Sequence, residues 1–542
     1  MSLEISYVLS TSEDIKDVVC IAEWPVAVDE NEGRKIPTKI AYLVENKTLR
    51  SNKIGFDFSN KCKSYTWTKL LLDRNAPSNQ YDDVTHVIGE NEGIMVLPQF
   101  QNAKEVCTDF LREMYSHFST IMKHRLTAIT YDITPMDFWI TLPAIWSEEA
   151  KDTILKAAKD AEPEAAGIAT LKELAAPGAL NAVQANYQKL KGGDNFLICD
   201  FGGGTVDIST YKVTMVVPNV EFEELCVGTG AKCGSTFLDS RLHALLFNCF
   251  GRAFKGVQYY GKGPGGDFMT QWEYAKKRFG YNMESWQDIE LSRMRLDFPN
   301  SKYYNSLEHF VVLTKQDMES IFDPIVESII GLLQRQLIEV RVHKKAKIHR
   351  MVLVGGLGSS KYLYDKLSIW CRFNGEIEFL CPKSPQTVVL RGAAIRGLEE
   401  IAPRLKYARI HYGFQIFLPF REGKYREEHA FIGEFDNDKY CEGRIQWCLS
   451  NDQNLLLRNG SQLERIDDPG VELVGQIRSV IPAEFNYGVN SKSRYNPRLK
   501  KMVHLFYLQV HTIFGDRGAN LKFRIAVGGR AISDATIDFP RY

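Results

Sequence analysis

The chain has no excess of charge of either sign: Lys and Arg together number 67, Asp and Glu together number 67, and the net charge is zero. That balance gives no support to a general nucleic-acid or membrane-binding surface, which needs clustered basic charge. Neither nucleic acid nor membrane is therefore expected as a partner. No apolar run approaches the ~20 residues needed to span a bilayer. The opening, MSLEISYVLSTSEDIKD, lacks the basic start and apolar core of a signal peptide. The 11 cysteines are scattered, without a CxxC pair or a His/Cys metal spacing. Several, such as Cys199 and Cys249, stand in apolar runs, so reduced core thiols in a cytoplasmic or nuclear protein are the expectation.

What remains is ordinary in bulk, with 44% apolar and 25% charged residues, and too long at 542 residues for one core. The informative stretch is NFLICDFGGGTVDIS, residues 195–209. Phe196, Leu197, Ile198 and Cys199 form an apolar run without alternation, as a strand buried on both faces does. Asp200 ends the run. Gly202, Gly203 and Gly204 follow and let the backbone turn with its N–H groups open to an anion. From Thr205 an extended, alternating pattern returns, with Asp207 inside it. Strand–glycine turn–strand differs from the strand–turn–helix of a Walker loop or a dinucleotide fingerprint. An ordinary hairpin is the simplest alternative. Two carboxylates and a threonine hydroxyl around the glycines favour a phosphate-binding hairpin.

Elsewhere the periodicities are plain. Residues 6–10, 18–22, 36–42 and 137–143 read as strands. Residues 103–126 place Val106, Phe110, Met114, Phe118, Ile121 and Met122 three or four apart, a helix with one apolar stripe. Ser147 is set to cap a second helix, with Glu148 and Glu149 in its first turn. Thr314 and Asp317 open a long helix that contains Pro324. Residues 350–363, RMVLVGGLGSSKYL, give a buried strand, a turn with Gly355, Gly356 and Gly358, and a helix start that Ser359 could cap. From about residue 409 the texture changes to extended pieces at 412–419, 430–435, 471–480, 503–512 and 521–527, separated by Gly, Asn and Asp.

The string D-F-G-G-G-T-x-D-x-S resembles the second phosphate segment of the actin-like ATPase superfamily in its Hsp70 branch. Four further strings resemble that branch in the same order. SYTWTKLLLD resembles the segment whose lysine, here Lys69, reaches toward the γ-phosphate. ITLPAIWSEEAKDTILKAAKDAE resembles the first connecting segment, VGG at Val354–Gly356 the adenosine segment, and PQTVVLRGAAI the second connecting segment. The W-S-x-x-A form and the string CGSTFLD are nearer the divergent HSPA12-type Hsp70-like proteins, a group abundant in fungi, than the major chaperones.

The resemblance implies an α/β, actin-like ATPase (ribonuclease H-like) fold of two lobes with nucleotide between them. It would occupy residues 1–408, with the first lobe at 1–195, the second at 196–380 and a return at 381–408. Residues 409–542 would form a smaller, mostly β domain. It implies ATP or ADP and Mg as cofactors, with Asp200 and Asp207 positioning the metal through water. Glu162, in an E-P-x-A-A turn, and Lys69 would assist. Gly202, Gly203, Gly204 and Thr205 would hold phosphate, as would Gly234 and Ser235 at the next helix start. Glu273 and Lys276 would meet the ribose, with Lys277 where an arginine usually stacks on the base. Gly355, Gly356, Gly358 and Ser359 would line the adenosine side. An unfolded client polypeptide or a co-chaperone is the implied protein partner.

One departure bears on activity. The superfamily opens with a D-x-G-T-T turn for the β/γ-phosphates, and residues 1–60 contain no D-x-G-T. Hydrolysis depends on such positioning. The readings left open are an Hsp70-like ATPase switch, a non-hydrolysing scaffold or sensor, and an incomplete gene product. A sugar kinase of the same superfamily fits less well, because such kinases lack this C-terminal domain.

Overall fold

The computed structural model describes residues 2–9, 12, 17–24, 35–59, 61–73, 80, 95–143, 146–161, 167–170, 179, 190–216, 220–264, 266–285, 287–399, 411–449, 464–469, 471, 473, 476–477, 491–506, 509–513, 522–527 and 530–538. The chain divides into two compact units, Met1–Lys406 and Tyr407–Tyr542. Glu162 with its turn, the segment 401–410 and most of 471–480 lie outside the described residues.

A six-stranded sheet organises the first unit. Its order runs Glu221–Glu224, Val206–Met215, Asn195–Phe201, Arg350–Val354 and Glu378–Leu380, with Thr229–Ala231 also paired to Val206–Met215. Asn195–Phe201 lies antiparallel to Val206–Met215 and parallel to Arg350–Val354. Every residue of Asn195–Phe201 and of Arg350–Val354 is buried, as their apolar runs require.

Alternation divides the side chains between the two faces. Leu197, Cys199 and Phe201 join Leu242, Ile325 and Leu367 from the helices Ser235–Phe250, Lys315–Ile338 and Lys361–Phe373. Phe196 and Ile198 face the other way, into a cluster with Tyr211, Val352 and Val389. At the start of these strands, Arg350 donates to Asp194 at 2.6 Å and to Glu378 at 2.7 Å, joining three segments in register.

Toward the N-terminus, short ladders surround the helix Ala103–Leu126. Ser2–Leu3 pairs with Ile36–Pro37, and Ser6–Tyr7 with Val19–Cys20. Lys39–Ala41 lies between Lys53–Ile54 and Tyr65–Thr66. Trp139–Leu142 pairs in parallel with Gly167–Thr170. The helix begins with a capping box in which Asn102 and Glu105 each accept the other's backbone N–H. Its stripe Val106, Phe110, Met114, Phe118 and Met122 is buried. Ser147 caps Glu148–Asp160. The helix Val388–Glu399 joins these ladders to the large sheet: its Leu390 carbonyl accepts from Ser6 Oγ at 2.9 Å. A Cβ on Gly397 would stand 2.9 Å from Trp139 Nε1, so only glycine admits that ring. Lys315–Ile338, boxed by Thr314 and Asp317, runs through Pro324 without interruption and ends in a π turn, Glu339–His343.

In the second unit, Lys439–Leu449 lies between Tyr412–Pro419 and Ala430–Ile432. Lys522–Val527 pairs with Gln509–Ile513 and with Arg530–Asp538, and the latter also pairs with Gln476–Ile477. Ser491–Asn496 and Lys501–Phe506 form a hairpin.

Candidate functional site

The candidate site is built at the far end of the large sheet. Asp200 is directly opposite Asp207 in the hairpin register. On one face of an antiparallel pair, such partners hold their Cβ atoms about 5 Å apart. Alternation puts both on the same face as Phe196, Ile198 and Tyr211, so they continue an apolar face past its packed part. Each is only 4% exposed. Between them the bend is closed by Gly202 N–H donating to the Thr205 carbonyl at 2.9 Å. Among the described residues, the N–H groups of Gly203 and Gly204 have no acceptor, and Gly204 is buried. Buried backbone N–H groups without partners are rare and costly, and an anion satisfies them well.

Two other turns press on this bend. Gly355 ends the neighbouring parallel strand with φ of +90°; a Cβ there would lie 2.3 Å from Asp200 Oδ1 and 2.4 Å from the Phe201 carbonyl oxygen. Both the left-handed backbone and the close approach demand glycine. A Cβ on Gly234 would meet the Gly202 and Gly203 carbonyl oxygens at 2.7 Å. Here the structure corrects one expectation. The N–H groups of Gly234, Ser235 and Thr236 donate to the carbonyls of Gly204, Gly202 and Gly203. The helix start therefore braces the bend, and its first donors are not turned to a phosphate. A second correction concerns Ser359: its hydroxyl donates to the Gly356 carbonyl at 3.1 Å, and Ser360 caps the helix Lys361–Phe373. Gly358 packs against Pro385 and Leu353.

The electrostatics follow from burial. Burial first, and then the charge of Asp207, push the Asp200 carboxyl up to about 7, against the opposing influence of Lys35. Burial brings the Lys69 ammonium down to about 8, with Cys107 and Asp207 acting to raise it. Lys69 sits on the 3-10 turn Thr68–Asp73, donates to the Thr141 carbonyl at 3.5 Å and lies 5.2 Å from the centre of the Trp146 ring. That turn is anchored at Asp73, which accepts from Ser147 Oγ at 2.7 Å and through its carbonyl from Lys232 at 3.2 Å. Two lysines, Lys35 and Lys69, thus act on the two buried carboxylates. Sequence reading missed Lys35, Glu4 and Asp73 because no local motif marks them.

Among the described residues no three or more His, Cys, Asp or Glu side chains form a ligand cluster. Two carboxylates suit a hard cation that keeps most of its water, as Mg²⁺ does. Asp200 and Asp207 are the residues that would hold it.

The helix Asp267–Arg278 carries the expected ribose residues. Lys276 is buried and donates to Asp239 of the helix Ser235–Phe250 at 2.7 Å and to Glu273 at 2.5 Å; Trp272 Nε1 donates to the same Asp239 oxygen at 2.8 Å. Burial works to lower the Lys276 pKa, but Asp239 and Glu273 prevail and raise it. The ammonium thus joins two helices through Asp239. Glu273 and Lys277 remain exposed on the same helix.

No family model matches the chain. Among curated proteins it is similar to human Heat shock 70 kDa protein 12A, at 24% identity over 390 residues covering 59% of this chain and 56% of that protein. It is 22% identical to human Heat shock 70 kDa protein 12B over 297 residues, 52% of this chain and 42% of that protein. A Chaperone protein HscA homolog of Acinetobacter baylyi is 23% identical over 405 residues, 71% of this chain and 56% of that protein. The chain spans about half the length of the curated relatives it matches. With the mixed α/β first unit, these likenesses support a divergent Hsp70-like protein and are consistent with an actin-like ATPase fold. Within that class the similarity includes the 12A and 12B proteins as well as HscA. Among the described residues no helix is long and apolar enough to cross a membrane.

Proposed function

We propose that this Hsp70-like chain binds ATP and ADP with Mg²⁺ at the glycine bend, and that nucleotide state is relayed to the Tyr407–Tyr542 unit. The observation that carries the reading is the bend itself: two N–H groups without acceptors among the described residues, beside two buried, facing carboxylates. In this reading Asp200 and Asp207 orient the water around Mg²⁺, and Gly202–Thr205 hold phosphate. Lys69 stands on the phosphate side, and Glu162 assists by resemblance. Gly355, Gly356 and Gly358 bring backbone close to the adenosine, with Glu273 and Lys277 at its edge. The metal supplies charge neutralisation on the phosphates; the chain's own part is to orient groups and exclude water. The function in the cell would be a chaperone-type switch acting on a client polypeptide in the cytoplasm.

A second reading is binding without turnover. It is favoured by the occupied donors at Gly234 and Ser235, which leave phosphate to the one bend. Titrating the protein with ATP and ADP, with and without Mg²⁺, and following phosphate release decides both. Mg²⁺-dependent binding in the micromolar range is expected. Binding without release establishes the second reading, and no binding of either nucleotide removes both.

A further inference from the structure

Lys35 comes from the N-terminal ladders, lies near the bend and belongs to no phosphate motif. A Cβ on Gly356 would lie 3.1 Å from Lys35 Nζ, so the ammonium sits directly above the turn that follows the strand beside Asp200. Its charge acts on the Asp200 carboxyl. Its carboxylate partner is Glu4, at 3.0 Å. The two are brought together by the antiparallel pair Ser2–Leu3 and Ile36–Pro37, which each directly flanks. Glu4 is nearly enclosed, with 9% of its side chain exposed, whereas Lys35 keeps 30%. The ammonium is therefore the more exposed member of the pair.

From these positions we infer that Lys35 is a phosphate-contacting residue that exchanges Glu4 for the polyphosphate of a bound nucleoside di- or triphosphate. The inference rests on the nucleotide-binding reading above. Charge bookkeeping gives the reason. Asp200, Asp207 and Glu4 face Lys35 and Lys69. A magnesium–nucleoside triphosphate is itself a net anion. With Lys69 alone, Asp207 and Glu4, joined by Asp200 wherever it is ionised, would repel it at short range, in surroundings where charges are poorly screened. Lys35 stands over a glycine, which puts no side chain of its own between the turn and the ammonium. It also has rotatable length to move from one oxygen acceptor to another.

The test measures binding of ATP, ADP and adenosine to the full chain and to Lys35→Met, Lys35→Arg, Glu4→Gln and the double variant Glu4→Gln/Lys35→Met. Lys35→Met is expected to weaken ATP and ADP by about 10- to 100-fold, the worth of one charge-assisted contact, and to leave adenosine unchanged. Lys35→Arg recovers most of the loss, and Glu4→Gln binds at least as tightly as the parent. The double variant removes the uncompensated Glu4 carboxylate, so a loss there equal to that of Lys35→Met excludes misfolding as its cause. If the parent binds and both Met variants bind ATP within twofold of it, the Lys35 assignment is overturned and nucleotide binding stands. Equal weakening of adenosine and ATP also overturns it, since that marks a structural role. Failure of the parent protein to bind overturns both.

Discussion

Asp200 offers the most direct test of the site's physics, because replacing it should stabilise the free protein while harming what the site does. Its carboxyl is raised from 3.8 to about 7, so the folded chain prefers it protonated. Asparagine keeps the shape and has no proton to lose. A shift of that size corresponds to a ceiling of roughly 4 kcal/mol, at about 1.4 kcal/mol for each tenfold change in proton affinity. Local relaxation and the effective dielectric around buried charges bring the expected gain nearer 2 kcal/mol. The direction with pH is fixed by linkage. The folded pKa lies above the unfolded one, so the group's contribution to stability is fully present below the unfolded value. It is lost as pH rises through the folded value near 7. Asp200→Asn and the parent should therefore unfold alike near pH 4. The variant should gain steadily above that, levelling off past pH 7 with a melting midpoint about 2–4 °C higher for a unit of this size. Thermal unfolding in EDTA across pH 4–8.5 measures it. A variant less stable than the parent at pH 8.5, or a gain independent of pH, would refute the account of Asp200 as a buried carboxylate held against its preference. The same variant should lose Mg²⁺-dependent nucleotide binding.

Three further substitutions probe the supporting structure. Gly355→Ala puts a methyl 2.3 Å from Asp200 Oδ1 at φ of +90°, and should cost about 3 kcal/mol or more in denaturant unfolding. Lys276→Met strands the buried Asp239 carboxylate and should cost about 3–5 kcal/mol; adding Asp239→Asn should recover much of it, and a double-mutant cycle reads the coupling. Ser147→Ala removes a helix cap and a hydroxyl donor to Asp73, for a loss of about 2 kcal/mol by chemical denaturation, with weaker ATP binding because Asp73 anchors the turn that carries Lys69.

Much of this protein was legible from one end of the chain to the other wherever local chemistry decides. The run before Asp200 could only be a doubly buried strand, and three consecutive glycines could only be a bend. The caps at Ser147 and Thr314 lie where the residue types require them. The stripe of Ala103–Leu126 is buried as its spacing demands. These features depend on side-chain type and on period, which are written in the sequence.

Which partner each polar group takes was decided only by the tertiary structure. Ser235 and Gly234 have the chemistry of anion donors, yet the bend packs so closely on Gly234 that its own carbonyls take their N–H groups. Lys276 stands in a charged helix pattern that does not show its partner, and a neighbouring helix places Asp239 2.7 Å away. Lys35 carries no motif at all and gains meaning from standing over Gly356. Hydrogen bonds and ion pairs are short-ranged, so they are settled by which distant segments the packed sheet brings within 3 Å, and no local pattern records that distance.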